Sequence, residues 1–243
     1  MTKQMVIHCG GRKATLEELQ VVPLPEETKS YKPVSHYDLA TNIERVAAEM
    51  LKDFVFDGGM YALSKDGQRM FGVHIYATEM SDLGLSIGFR NSYNKTMSVG
   101  IAVGAAVYIC DNLAFAGDIT IMRKHTTNVI EDLEIAILRV VYKAQANFTS
   151  IAESAEKMRE TPLEDDSAYK LLGLLFGRKV LTPRQLPVAK QEWLHPYYKE
   201  FNPRNYWSFY NAVTTALKST PPNQILERHI KLHDLTTKTM AVA

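Results

Sequence analysis

The stretch from Leu83 to Ile109 repeats with a period of two. In "LGLSIGFR", Leu83, Leu85, Ile87 and Phe89 alternate with Gly84, Ser86, Gly88 and Arg90. In "MSVGIAVGAAVYIC", Met97, Val99, Ile101, Val103, Val107 and Ile109 alternate with Ser98, Gly100, Ala102, Gly104, Ala106 and Tyr108. A helix would spread each set around its axis, whereas a strand puts each set on one face. The pattern therefore predicts two strands, paired antiparallel across "NSYNK". Their shared sheet has one bulky face and one nearly bare face. Glycine weakens a strand, so its repetition on one face marks something that approaches the backbone closely. That occupant is either a helix of the same chain or a ligand, nucleic-acid strand or second subunit.

The flanking sequence fits an antiparallel sheet covered by helices. Asp66-Gly67 is a hairpin turn signal between alternating runs. Phe71, Val73 and Ile75 share one face there, and Met70, His74 and Tyr76 the other. Before it, Ser35 followed by Asp38 resembles a capping box, and Leu39, Ile43, Val46 and Met50 make a helical stripe. After it, Asn128 with Glu131 caps a long amphipathic helix. Its stripe is Ile130, Leu133, Ile137, Val140, Ala144, Phe148, Ile151 and Ala155, and it should cover the sheet. "TPLEDD" ends that helix as a hinge or linker. "SAYKLLGLLFG" should stop at Gly177 as a C-cap signal. Thr182 and Pro183 should open the next helix. Trp207, Tyr210, Val213 and Leu217 should form one face of another. The expected fold is α+β: an antiparallel sheet backed by a long helix, with a basic helical C-terminal region. Residues 1–34 read as an extended N-terminal arm, 35–160 as the α+β core and 161–243 as the C-terminal region.

Charge is unevenly spread along the 243 residues, although the net value is only +1. From Ala168 to the end there are eleven Lys/Arg against four Asp/Glu. The sheet segment Phe54–Met122 has four against six, so it is net acidic. Such asymmetry attracts nucleic acid or an acidic partner to the C-terminal part. No apolar run reaches a membrane span, and the start lacks a secretory signal. Cys9 and Cys110 are far apart and in no metal-ligand spacing, which suggests reduced thiols in a cytoplasm.

Chemical motifs are sparse. There is no phosphate-binding loop, CxxC pair, HExxH or G-x-S-x-G. His229 and His233 lie four apart on an expected helix and lack a third metal ligand, so exposed helix histidines are the simpler reading. No cofactor or metal is expected. His125, in "RKHTTN", lies where a strand meets a helix start, a place for a general base, a phosphate contact or a cap. Cys110 and Asp111 are neighbours on a strand and point to opposite faces, so with Asn112 they make no triad by themselves. Arg90, Asn91, Ser92, Asn94 and Lys95 form a polar hairpin tip suited to a phosphate or an acidic side chain. Together with Arg123, Lys124 and His125, and with Arg178, Lys179, Arg184, Lys190 and Arg204 of the basic region, Arg90, Asn91 and Lys95 are the candidate nucleic-acid contacts.

The strings "VVPLPEETKSYKPVSHYDL", "FRNSYNKTMSVGIAVGAAVYICDNLAF", "RKHTTN", "EWLHPYY" and "YWSFYNAVTTALK" occur in an order that resembles the phage/plasmid-like family catalogued as domain of unknown function 932. The resemblance runs from about Val21 to Lys218. It implies a protein carried by phages, prophages or conjugative plasmids, acting in the cytoplasm of a bacterial host. It carries no catalytic residues over. The order helix, hairpin, further antiparallel strands, long helix is also similar to single-strand annealing recombinases of the Red-beta and Erf kind, which oligomerise and hold single strands along a basic groove. The net acidic sheet departs from that pattern. The first expectation is thus a mobile-element protein that binds single-stranded DNA and assists recombination or annealing, with a homo-oligomer among its states. The alternative is an effector that binds and blocks a host defence protein. A third is an enzyme built around His125, Asp111 and Arg90.

Overall fold

The computed structural model describes residues 11–79, 82–108, 112–115, 121–123, 129–221 and 223–241. Seven strands and seven α-helices are present among them. The sheet is antiparallel throughout, in the order β1-β2-β3-β4-β5-β6, with β7 also paired to β5. The strands are β1 (Gly11–Ala14), β2 (Val55–Ser64), β3 (Arg69–Ala77), β4 (Leu83–Ser92), β5 (Val99–Val107), β6 (Asn112–Phe115) and β7 (Ile121–Arg123). From β2 to β6 sequential strands are neighbours through short connections, whereas helical residues between 16 and 50 separate β1 from β2 and β7 returns to pair with β5.

The register follows from the alternation. Leu83 pairs with Val107, Ile87 with Val103 and Phe89 with Ile101, so the bulky sets of β4 and β5 share one face. The β2–β3 turn closes at Asp66-Gly67. Gly67 takes φ +69°, a conformation that favours glycine, and the Asp66 carboxylate accepts from the Gln68 amide at 3.1 Å.

Helix α3 (Val129–Glu160) runs for 32 residues. Leu133, Ile137, Val140, Ala144, Phe148, Ile151 and Ala155 are buried in one cluster with the bulky sheet face. The side chain of Ile130 lies outside the described set. Helix α2 (His36–Met50) adds Leu39, Ile43 and Val46 to the same cluster. Its N-cap is Ser35, whose hydroxyl accepts from the Asp38 amide at 3.2 Å. Met50, the last member of the expected stripe, is exposed at the helix end.

The expected N-terminal arm is only partly an arm. Gly11–Ala14 pairs with β2 as an edge strand, and Leu16–Gln20 forms a short helix, α1. Thr15 and Glu18 cap that helix reciprocally, with the Thr15 amide donating to Glu18 at 2.8 Å. The T-x-x-E spacing is a local signal that the sequence reading passed over.

The C-terminal helices are α4 (Asp165–Gly177), α5 (Leu186–Leu194), α6 (Tyr206–Leu217) and α7 (Ile225–Met240). Leu171, Leu172, Trp193, Phe209 and Val213 belong to the same apolar cluster as the sheet and α3. The "TPLEDD" segment is pinned by backbone bonds: the Leu163 amide donates to the Arg204 carbonyl at 2.9 Å, and the Tyr206 amide to the Thr161 carbonyl at 3.1 Å. It is a tethered corner, and the expected hinge is corrected accordingly.

Three helix details also differ from expectation. Gly177 is the last residue of α4, and the left-handed residue is Lys179 at φ +60°. The Val180 amide reaches back to the Leu175 carbonyl at 2.9 Å and the Lys179 amide to Phe176 at 3.0 Å, a Schellman closure without glycine. Helix α5 begins after Gln185, so Pro187, not Pro183, occupies its first turn. Helix α6 is buried all round except at Thr215, rather than along one stripe, because the sheet cluster and the other helices enclose it.

The bare sheet face is covered by α7. Leu226 is fully buried among Phe71, Val73, Ile75, Ala102 and Ala106, with Ile225 and Ile230 packed alongside. The small residues of β5 are where the helix side chains enter. A Cβ on Gly84 would collide with the Tyr108 phenol, which occupies the space above that glycine.

Candidate nucleic-acid interface

Between Asp166 and Glu192 the sequence carries five cations, Lys170, Arg178, Lys179, Arg184 and Lys190, and no carboxylate. The fold places this stretch on the α4–α5 hairpin, and all five side chains are exposed. Helix α4 buries Ala168, Leu171, Leu172 and Leu175 and turns its other side outward. Tyr169 and Phe176, seven residues apart, therefore lie two turns apart along one outer stripe. They are 38% and 44% exposed, although each is large and apolar. Gly173 sits between them with open space where a side chain would be. The Lys190 ammonium of α5 lies 5.5 Å from the centre of the Tyr169 ring. The surface thus alternates aromatic faces and cations, the two groups that bases and phosphates seek.

The hairpin is held rigidly at both ends. At the turn, Gln185 is buried, and its amide donates to the Ala216 carbonyl, the Ser219 hydroxyl and the Thr220 hydroxyl at 3.0–3.2 Å. Its side-chain oxygen accepts from Arg228 at 3.2 Å. At the other end the Trp193 indole donates to Asp165 at 2.9 Å. Arg178, Lys179 and Arg184 sit on the connection that Gln185 anchors, so their backbone positions are fixed. Gln185 was not singled out from the sequence, because a glutamine in a polar loop carries no local sign of burial.

The other candidate contacts lie elsewhere. Arg90 is not a hairpin-tip cation; it is buried beneath α7. Its guanidinium donates to both Glu227 oxygens, at 2.6 and 2.8 Å, and to the Asn223 carbonyl at 2.8 Å. This fork-to-fork pair fastens the start of α7 to the bare sheet face. Asn91 is also internal, donating to the Val34 carbonyl at 2.6 Å and lying 3.0 Å from His36 Nδ1. Lys95 is exposed, at φ +61°, with its ammonium 4.3 Å from the Tyr31 ring. Arg204 lies over the Trp193 ring at 4.6 Å, donates to the Trp193 and Leu194 carbonyls and approaches Asp165 at 3.5 Å. Its charge is used to close the helix corner. Arg123 belongs to β7 by its backbone, and its side chain is outside the described set. Lys124, His125, Cys110 and Asp111 lie outside the described residues, as does Cys9. Asn112 is buried and bonds Asn211 of α6, with 3.0 Å between Nδ2 and Oδ1.

Replacing Glu227 tests the clamp. Glu227→Ala removes both carboxylate contacts from a guanidinium whose side chain is 6% exposed. Glu227 itself is 38% exposed, so the expected cost is about 2–3 kcal/mol, below the ~3–5 kcal/mol of a fully buried pair. A urea melt of the variant at neutral pH checks this.

Two further polar clusters are internal. His74 is fully buried on the bulky sheet face, with Nε2 2.9 Å from the Tyr61 hydroxyl and the rings of Phe56, Tyr76 and Phe89 around it. Burial holds it neutral, with its pKa pushed down to about 3, and pushes Tyr61 up to about 12. Sealed in this way, it packs the sheet. His229 is buried as well, which corrects the expectation of exposed helix histidines, and burial lowers its pKa to about 4. Among the described residues no group of three His, Cys, Asp or Glu side chains is placed to hold a metal. A cleft of about 360 Å³ opens between the sheet end and α6, lined by Asp82, Arg159, Glu200, Asn205 and Trp207 among others. Arg159 there is neutralised by Asp82 and Glu156 and lies 4.8 Å from the Trp207 ring.

Fold and surface together define an α+β protein that displays a rigid basic–aromatic helical hairpin. No family model, curated protein or solved structure matches the chain. Among the described residues no helix is long and apolar enough to cross a membrane.

Proposed function

We propose that the protein binds single-stranded DNA along the α4–α5 hairpin and assists strand annealing or recombination on a mobile element. The observation that carries this reading is the exposed pair Tyr169 and Phe176 set among five cations with no intervening carboxylate. Exposed aromatic rings on a basic surface stack unpaired bases, whereas a duplex hides its base faces. Cations alone would favour any polyanion, so the rings are what select a single strand.

The test is fluorescence anisotropy with a labelled oligonucleotide, single-stranded or annealed to its complement. The single strand is expected to bind more tightly. Tyr169→Ala with Phe176→Ala should weaken it by about tenfold or more, since each stacked base contributes ~1–3 kcal/mol. Both residues are exposed, so the fold should survive the change. Equal affinity for the duplex, or no loss in the double variant, would remove the reading.

A further inference from the structure

Carboxylates hold the fixed arginines of this protein, with one exception. Arg12, Arg45, Arg90, Arg159 and Arg204 each contact an Asp or Glu. Arg228 of α7 is also fixed by hydrogen bonds, yet it contacts no carboxylate among the described residues. Its Nη1 donates to the Val180 carbonyl at 3.3 Å and to Gln185 Oε1 at 3.2 Å. Its Nη2 donates to Gln224 Oε1 at 2.5 Å. All three acceptors are neutral, so they fix the guanidinium without cancelling its charge. Arg228 is half-buried, and burial lowers its pKa with no neighbouring anion to oppose the shift.

A guanidinium carries five N–H donors. Three are used here, so Nε–H and one Nη2 hydrogen have no acceptor among the described residues. Nε is also open to solvent. The surroundings are cationic from each element packed there. Val180 and Gln185 bracket the α4–α5 connection, so Arg228 lies against the backbone that carries Lys179 and Arg184. Lys218 caps α6 beside Ser219, whose hydroxyl meets the Gln185 amide at 3.0 Å. Lys231 lies about one turn further along α7. The adjacent carboxylate, Glu227, is already held at both oxygens by Arg90. The exposed ring of Phe176 belongs to the same corner, since its carbonyl accepts from the Lys179 amide at 3.0 Å.

We propose that Arg228 seats a backbone phosphate of the bound strand through its open Nε–H edge, so that the DNA site reaches from the hairpin onto α7. The proposal rests on the single-strand reading and adds to it a contact from a different helix. A base stacked on Phe176 brings its phosphate to this corner. A guanidinium held in advance loses little freedom in meeting it, and the hydrogen bond formed is charge-assisted.

Nitrogen–proton NMR of the arginine Nε–H groups reads the contact in the intact wild-type chain. The Arg228 signal is assigned by its loss in Arg228→Lys. A single-stranded oligonucleotide should shift that signal saturably, in step with the anisotropy curve. Inorganic phosphate at the same phosphate concentration should leave it in place. Arg228→Gln should weaken strand binding by about tenfold or more, as for a lost hydrogen bond between charged groups. Circular dichroism confirms that the variant is folded. If no single strand binds the wild type, the single-strand reading and this proposal fall together. If the strand binds and is weakened by Tyr169→Ala with Phe176→Ala, an unmoved Arg228 signal removes the Arg228 contact alone. Wild-type affinity in Arg228→Gln removes it too. A signal that inorganic phosphate moves as strongly as the strand marks a site for the free ion and overturns the proposal.

Discussion

Between pH 6.5 and pH 4.5 the protein is expected to lose about 5 kcal/mol of stability, most of it through His74 and His229. Both rings are buried and neutral, with pKa values lowered by desolvation from 6.5 to about 3 and about 4. The unfolded chain binds a proton at each ring near pH 6.5, and the folded chain does not until far lower. The unfolded state therefore holds more protons across this window, and stability rises with pH. Above pH 6.5 the two states match and the full stability is present. It is lost as pH falls towards the folded-state values, at about 2–3 kcal/mol per ring by pH 4.5. His233 is shifted in the same direction by burial and adds to the loss. The carboxyls of Glu17, Glu18 and Asp66, held low mainly by hydrogen bonds, contribute only below about pH 4.5. Urea melts across the window should show the midpoint falling steadily. A midpoint unchanged from pH 7 to pH 4.5 would mean that neither ring is sealed from solvent.

The second large effect is expected at the contact between the long helix and the sheet. Ile137 has no exposed surface and lies in the cluster that joins α3 to the bulky faces of β4 and β5. Ile137→Ala should cost about 2–5 kcal/mol, from the lost transfer energy and from the cavity left behind. Ile137→Val removes one methyl group and should cost about 0.5–1.5 kcal/mol. Graded losses in chemical denaturation would establish the burial. An alanine variant as stable as the wild type would place α3 off the sheet.

The features legible in the sequence were those written in local spacing. The period of two in β4 and β5 specified strands, pairing and face, because a half-step slip would turn every bulky residue outward. Asp66-Gly67 named its turn, and the stripe on α3 named its buried side. What covered the bare face was not legible. Leu226 and Glu227 lie more than a hundred residues beyond the residues they meet on that face, and nothing near Arg90 or Ala102 names them. Arg90 illustrates the same limit: at the end of a strand it looks like a hairpin-tip cation, and only the return of α7 makes it a buried clamp. Of the candidate site, the charge run was legible as Arg178, Lys179, Arg184 and Lys190. The rings of Tyr169 and Phe176 were not, because two aromatics in an apolar helix read as core until the buried side is known.

The central claim is that the α4–α5 cations neutralise phosphates, and the salt dependence of single-strand binding tests it most directly. If all five cations engage, log K should fall with log salt at a slope of about −3.5. Arg178→Gln, Lys179→Gln and Lys190→Gln together should lower affinity and bring that slope to about −1.5. A triple variant with wild-type affinity and an unchanged slope would contradict the account.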